Sequence, residues 1–251
     1  GYTGLDAALQ TARGGRATLV IDAEDAGFGC STRNGGQIST SVKPGYDELA
    51  RRHGPDTAFA IVKEGHNSRA WVEEFVAAEG IDCDFRVAGR FHAAHNPRSY
   101  EALARQLANQ HQGLEVEAHM VPRAEQHSEL GTDTYHGGAL FARHASIDPG
   151  RFHQGMLDRV LAAGAQLVPH CRATGLRREG TGFEVQTARG RITAGRVIVA
   201  TNGYTTGLTP WLQRRTIPIG SYIIATEKLP PEVMARLMPR QRVVSDTRKV
   251  V

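Results

Sequence analysis

An α/β fold of Rossmann type, interleaved with an α+β portion, is predicted by three features of the 251-residue sequence. Helix-period and strand-period segments alternate along the chain, the pattern of a sheet with helices laid against it. An apolar run, Thr18-Leu19-Val20-Ile21, ends on Asp22 after the glycine-bearing opening Gly1-Tyr2-Thr3-Gly4, which is how a dinucleotide fold offers a carboxylate to a ribose. Three short strand-like segments between Arg172 and Thr193, separated by glycine turns, read as a β-meander.

The opening reads as the second half of a G-x-G-x-x-G turn, in which Gly4 permits close helix packing. Leu5, Ala8, Leu9 and Ala12 form a helical stripe that Gly14-Gly15 ends. After Pro44 a short helix is expected through Arg52, and a longer one from Pro55 to Gly80 with Ala58, Ile61, Val62, Gly65, Val72, Phe75 and Val76 on its buried side and Trp71 at the rim. From Phe85 to Ala94 the period changes to two: Phe85, Val87, Gly89, Phe91 and Ala93 share one face, with a bend at Gly89. Helices follow over Pro97 to about His111, with Leu103, Leu107 and Ala108 inward, and near Arg123 to Leu130; Thr134 to Arg143 comes next. Asp148-Pro149 starts a helix buried through Phe152, Met156, Val160 and Ala163. Gln166-Leu167-Val168 is a strand, the meander follows, and the all-apolar Val197-Ile198-Val199-Ala200 is expected to rejoin the parallel sheet. A long strand over Arg215 to Thr226, a short helix after Pro230-Pro231 and a strand-like Val243-Val244-Ser245-Asp246 complete the chain.

Composition narrows the function classes. Thirty basic against 26 acidic residues leave a net charge of +4, and the pairs Arg51-Arg52, Arg177-Arg178, Arg214-Arg215 and Arg248-Lys249 are scattered without interleaved aromatics, so nucleic acid is not an expected partner. No apolar run reaches the roughly 18 residues of a membrane span and no signal segment opens the chain, so a cytoplasmic protein without a membrane partner is expected. Cys30, Cys83 and Cys171 are odd in number and widely spaced, which predicts reduced thiols rather than disulfides or a metal site. His92 and His95, on opposite faces of a strand, suit no shared metal either.

The chemistry concentrates near the start. Asp22 is the ribose acceptor, and Ser31-Thr32-Arg33-Asn34-Gly35-Gly36-Gln37 joins a hydroxyl, a guanidinium and two side-chain-free positions, as suits a loop against a pyrophosphate or a flat cofactor ring. The Gly1-to-Leu5 opening, Asp22, Ser31-to-Gln37, Val197-to-Tyr204 and Ile217-to-Glu227 resemble the FAD-dependent amine oxidoreductases of the D-amino-acid oxidase superfamily. The likeness is to the glycine/sarcosine-oxidase-like branch that includes gamma-glutamylputrescine oxidoreductases, with both ends of the family pattern absent. The resemblance implies an FAD-binding domain over residues 1–80 and 145–214 and a substrate domain over 81–144 and 215–251, each incomplete. It implies that Tyr2, Thr3 and Gly4 lie on the pyrophosphate turn, Asp22 on the ribose, and Ser31 with Arg33 near the phosphates. Asn34, Gly35, Gly36 and Gln37 would lie beside the isoalloxazine, the backbone of Ala173 at the adenine, Thr201, Asn202 and Gly203 across the cofactor, and Tyr222 at the substrate. The implied reaction oxidises the carbon–nitrogen bond of an amine or amino acid by hydride transfer to flavin, with oxygen or another acceptor as re-oxidant and no assigned side-chain base. A nicotinamide-dependent dehydrogenase, which Asp22 would serve equally, and a fragment unable to retain flavin stand as alternatives; an extended chain is expected to hold flavin better than this one.

Overall fold

The computed structural model describes residues 1–248, so Lys249 of the last basic pair lies outside the described residues. The chain forms two compact units: Gly1–Gly35, Ile81–Cys83 and Pro149–Ile224 make the first, and Gly36–Gly80, Asp84–Asp148 and the chain from Ala225 onward make the second.

In the first unit, helix α1 (Tyr2–Arg13) buries Leu5, Ala8 and Leu9. It stops where Gly14 and Gly15 return their amides to Gln10 and Ala12, with Gly15 in the left-handed region at φ 73°. The buried stripe lies against α5 (Pro149–Ala162), which contributes Phe152, Met156 and Val160 from its own helical period. Strand β1 (Leu19–Ile21) pairs in parallel with β7 (Gln166–Val168), Leu19 opposite Gln166 and Ile21 opposite Val168. The meander forms as the sequence predicts: β8 (Ala173–Glu179), β9 (Gly182–Thr187) and β10 (Gly190–Ala194) are antiparallel neighbours, with a register shift between Ala173 and Gly175. Gly180 and Gly190 take positive φ in its two turns.

Two expected strands are absent. Val197–Ala200 forms no strand and pairs with nothing among the described residues, and Ile198 is 62% exposed. The run from Arg215 to Thr226 likewise has no ladder, and Ile217, Ile219 and Ile224 are exposed. Apolar patterning selects a face for a strand, but a strand exists only where a neighbour's backbone meets its own N–H and C=O groups. Between them lie a 3-10 turn over Asn202–Tyr204 and the short α6 (Pro210–Gln213).

In the second unit a four-stranded sheet has the order β11-β3-β5-β4. Strand β3 (Arg90–Ala93) is antiparallel to β5 (Gly138–Phe141), β5 is antiparallel to β4 (Ala118–Val121), and β11 (Val243–Asp246) lies parallel to β3. Phe91, Ala93, Val121 and Leu140 form one core cluster, with Leu130 and Tyr135 against it. Ala94, Leu103 and Ala139 form another, under α4 (Pro97–Ala108). That helix starts at Asn96, whose side chain accepts from the Ser99 amide at 2.8 Å, and it ends three residues before His111, leaving Ala108 exposed rather than inward. Of the Phe85-to-Ala94 run only Arg90–Ala93 joins the sheet; Gly89, at φ 79°, makes the expected bend. Helices α2 (Tyr46–His53) and α3 (Pro55–Ala78) pack together, and β2 (Gln37–Ile38) pairs with β6 (Ala145–Ser146). Trp71 sits at the rim, stacked on Phe75 with centroids 4.8 Å apart. The expected short helix before Leu130 is a 3-10 turn over Arg123–Ser128, and α7 (Pro231–Leu237) follows its proline pair.

Candidate functional site

The first unit brings the opening helix, the end of β1, the loop after it and the Thr201–Tyr204 turn together. α1 has no acidic residue in its first turn and no side-chain cap. Its first intrahelical bond runs from Leu5 N–H to Gly1 C=O at 3.0 Å, so the Tyr2, Thr3 and Gly4 amides point out of the helix end. The Tyr2 amide is taken by Ser31, whose Oγ accepts it at 3.3 Å. Thr3 and Gly4 therefore carry the remaining helix-end donors, and the Ser31 hydroxyl keeps its own proton to donate. The Tyr2 side chain turns away from this end: its hydroxyl donates to the Pro149 carbonyl at 3.1 Å and its ring meets Phe152 at 5.3 Å.

Asp22 follows β1 directly. Its amide donates to Val168 C=O at 3.2 Å and its carbonyl accepts from Cys171 N–H at 2.7 Å, so β7 and the chain beyond it fix the position. One carboxylate oxygen, Oδ1, accepts the Glu24 amide at 3.0 Å; the other has no protein donor among the described residues. Around it Glu24 pairs with Arg172 at 3.1 Å and Asp25 Oδ1 lies 2.9 Å from His170 Nε2, so both neighbouring acids have side-chain partners where Asp22 has none among the described residues. Ala173 comes one residue after Arg172, at the first position of β8.

The loop from Asp25 to Asn34 holds itself. Thr32 Oγ1 donates to Gly27 and Gly29 carbonyls, and Asn34 Nδ2 donates to the Cys30 and Ser31 carbonyls, each at 3.0 Å. Arg33 lies over the Phe28 ring at 4.8 Å, and its guanidinium makes no hydrogen bond or ion pair among the described residues. Gly27 has φ 84°, and a Cβ there would stand 3.0 Å from both His153 Cε1 and Thr32 Cγ2. Gly29 lies against the Tyr204 ring, where a Cβ would be 3.1 Å from Cε2.

The turn after Ala200 closes the group. Gly4 meets Ala200, so the unpaired Val197–Ala200 segment still passes beside α1. Asn202 takes φ 47° and its Nδ2 donates to Cys30 Sγ at 3.8 Å, while Thr201 and Thr205 hydroxyls lie 2.7 Å apart. Thr201 and Asn202 also line a shallow hollow of about 200 Å³ with Val199 and Leu212.

Gly36 and Gln37 open the second unit: Gly36, at φ 62°, accepts from the Ile147 amide, and Gln37 pairs with Ser146. Tyr222 is 94% exposed and makes no hydrogen bond among the described residues. The sequence assigns no role of their own to Thr32, His153 and Tyr204, which support the loop; the pair Gly27 and Gly29 is the available signal for a crowded turn. Burial and then the charge of the amino terminus hold the His153 imidazole below its usual range, against an opposing pull from Asp22. No group of three or more potential metal-ligating side chains occurs among the described residues, and no helix is long and apolar enough to cross a membrane.

A parallel strand pair with a carboxylate at its end, a helix presenting free amides and an adjoining meander define a nucleotide-cofactor α/β fold. Solved structures share it: glycine oxidase from Geobacillus kaustophilus matches with a TM-score of 0.65 at 16% identity, over 83% of this chain and 55% of that one. Glycine oxidase from Bacillus cereus ATCC 14579 matches with a TM-score of 0.67 at 17% identity, over 84% and 57%. The model of the FAD dependent oxidoreductase family, DAO, matches residues 1–251, and the chain belongs to that family. Gamma-glutamylputrescine oxidoreductase of Escherichia coli (strain K12) is 31% identical over 247 residues, 98% of this chain and 58% of the relative. A probable oxidoreductase, OrdL, of Rhizobium meliloti (strain 1021) is 32% identical over 260 residues, 100% of this chain and 58% of the relative. The chain thus spans somewhat over half the length of these relatives.

Proposed function

We propose that the chain supplies the FAD-holding part of an enzyme that oxidises the carbon–nitrogen bond of an amine or amino acid. The observation that carries this reading is the convergence of α1's free amides, Ser31, Asp22 and the Thr201–Tyr204 turn in one unit, together with 31% identity to a gamma-glutamylputrescine oxidoreductase. The donor set fits the cofactor. Two outward amides at an uncapped helix end and a hydroxyl proton suit a diphosphate, and a carboxylate with one uncommitted oxygen suits a ribose hydroxyl pair.

In this reading Thr3, Gly4 and Ser31 hold the diphosphate and Arg33 supplies positive charge from its seat on Phe28. Tyr2 acts by fixing Ser31 through its amide. Asp22 holds the ribose, and the Ala173 backbone lies at the adenine. Asn34, Gly35, Gly36 and Gln37 border the ring system on one side, and Thr201, Asn202 and Gly203 on the other. Bound FAD supplies a two-electron acceptor for a hydride from the carbon beside the nitrogen. No side chain of this chain is assigned as base; the substrate must arrive as the neutral amine, whose lone pair assists as the carbon–nitrogen double bond forms. The re-oxidant of bound FAD would be oxygen or another acceptor. Tyr222, exposed and making no hydrogen bond among the described residues, is given no substrate contact.

The test has two stages. The purified chain, incubated with FAD and desalted, should show the visible bands of oxidised flavin. Anaerobic mixing with amines and amino acids should bleach them, faster as pH rises through the apparent pKa of the bound amine. Loss of all flavin on desalting would overturn cofactor retention by this chain. Bleaching by 2-hydroxy acids but by no amine would overturn the substrate class, and reduction by NADH alone would favour a reductase.

A further inference from the structure

Every residue from Ile217 to Lys228 is exposed, and the large apolar side chains among them are nearly bare, with Ile217 at 83%, Ile219 at 84% and Ile224 at 90%. From Ile217 to Ala225 the chain makes no backbone–backbone hydrogen bond among the described residues. No charged side chain occurs between Arg215 and Glu227. Bare apolar side chains on an unpaired, uncharged backbone are the features by which one strand recruits another. Tyr222 already leans over Gly220, its hydroxyl oxygen 3.5 Å from where a Cβ on Gly220 would stand, as residues two apart on one face of a strand do.

The run is complementary to itself in the antiparallel sense. About Ser221 as a two-fold centre, Gly220 stands opposite Tyr222, Ile219 opposite Ile223, Pro218 opposite Ile224 and Ile217 opposite Ala225, all uncharged pairs. Just outside them Arg215 stands opposite Glu227, so both ends bring opposite charges together. The Arg215 guanidinium lies over the Trp211 ring at 3.9 Å and Nη1 donates to the Trp211 carbonyl at 2.9 Å, which leaves other N–H groups for a carboxylate. The Arg215 amide turns back to Leu212, so a ladder ends before it, and the cations Arg214 and Lys228 fall beyond the paired stretch. Pro218 selects which backbone groups pair. Antiparallel neighbours alternate between residues that exchange hydrogen bonds and residues whose N–H and C=O groups point away. With Ser221 opposite Ser221 in an exchanging pair, Ile217, Ile219, Ile223 and Ala225 exchange as well, and Pro218, which has no N–H, falls among those that point away. The outer edge then lacks a donor that a third strand would need, so association closes at two copies.

We infer that residues 215–227 are a dimerisation strand whose partner is the same run of a second copy, paired antiparallel about Ser221 with Ile217, Ile219 and Ile223 of both copies on one apolar face. None of these residues is among those proposed to hold FAD.

Sedimentation velocity of the 251-residue chain, from micromolar to sub-millimolar concentration, tests this. A reversible monomer–dimer equilibrium without larger species is expected. Ile219→Pro removes an exchanging N–H from both copies and should weaken the dimer about tenfold or more, whereas Ile224→Pro removes one that points away and should leave it within about threefold. Dilute samples of both variants should melt with the native chain, because neither residue's backbone is hydrogen-bonded within one copy. A monomer throughout, growth beyond two copies, or equal weakening by the two prolines would each overturn the pairing, the last by showing an unspecific apolar surface. Should either variant not fold, hydrogen exchange of the native chain decides: on concentration the Ile219 and Ile223 amides should become protected while those of Tyr222 and Ile224 stay fast, and uniform protection or none would refute the strand.

Discussion

Replacing Asp22 separates a ribose acceptor from a turn residue, because its two oxygens do different work. Oδ1 holds the Glu24 amide at 3.0 Å, and the other oxygen is the one proposed to meet the cofactor. Asp22→Asn can keep the turn with its amide oxygen while removing the charge. A charge-assisted hydrogen bond contributes about 1.5–3 kcal/mol and a neutral one about 0.5–1.5 kcal/mol, so the loss is about 1 to 1.5 kcal/mol, or roughly tenfold in FAD affinity. Asp22→Ala removes the acceptor outright, about 1.5–3 kcal/mol and roughly 10- to 150-fold, and also strands the Glu24 amide, for about 1 kcal/mol of stability. Quenching of FAD fluorescence gives the affinities and urea unfolding gives the stabilities. The expected order is native, then Asn, then Ala for affinity, with only Ala appreciably less stable. FAD affinity within twofold of native in Asp22→Ala would refute the ribose assignment, whatever the stability did.

Three further outcomes are expected. Leu9→Ala, on the fully buried face of α1 against α5, should cost about 2–5 kcal/mol in denaturant unfolding. Gly137→Ala should cost about 3 kcal/mol or more, since Gly137 has φ 78° and a Cβ there would stand 2.4 Å from the Val121 carbonyl oxygen; stability within 1 kcal/mol of native would contradict this backbone path. Burial, then the charges of Arg90, Arg69 and His66, lower the His144 pKa from 6.5 to about 4. The unfolded chain thus takes up a proton that the folded one refuses, and stability should fall as pH drops from about 6.5 to about 4, by about 2 kcal/mol after allowance for solvent screening, with no penalty above that window. His144→Gln should remove that part of the slope, which pH-dependent urea unfolding reads directly.

What the sequence determined by itself was local. Helical period and terminators marked α1, α3, α5 and α7 because their side chains and caps act within a few residues of one another. The meander was legible because its turns carry Gly180 and Gly190, and Asp22 because β1 is short, apolar and ends on it. What only the tertiary structure decided was partnership. Val197–Ala200 and Arg215–Thr226 have strand-like patterns, yet pairing depends on a neighbour that no pattern names. The roles of Ser31 as acceptor for Tyr2 and of Tyr204 over Gly29 follow from contacts between segments 29 and 175 residues apart in order. Arg69 and His144 show the limit most plainly: arginine and histidine read as surface residues, and only the folding of Thr40, α3 and β5 around them makes them buried, with N–H groups that have no partner among the described residues.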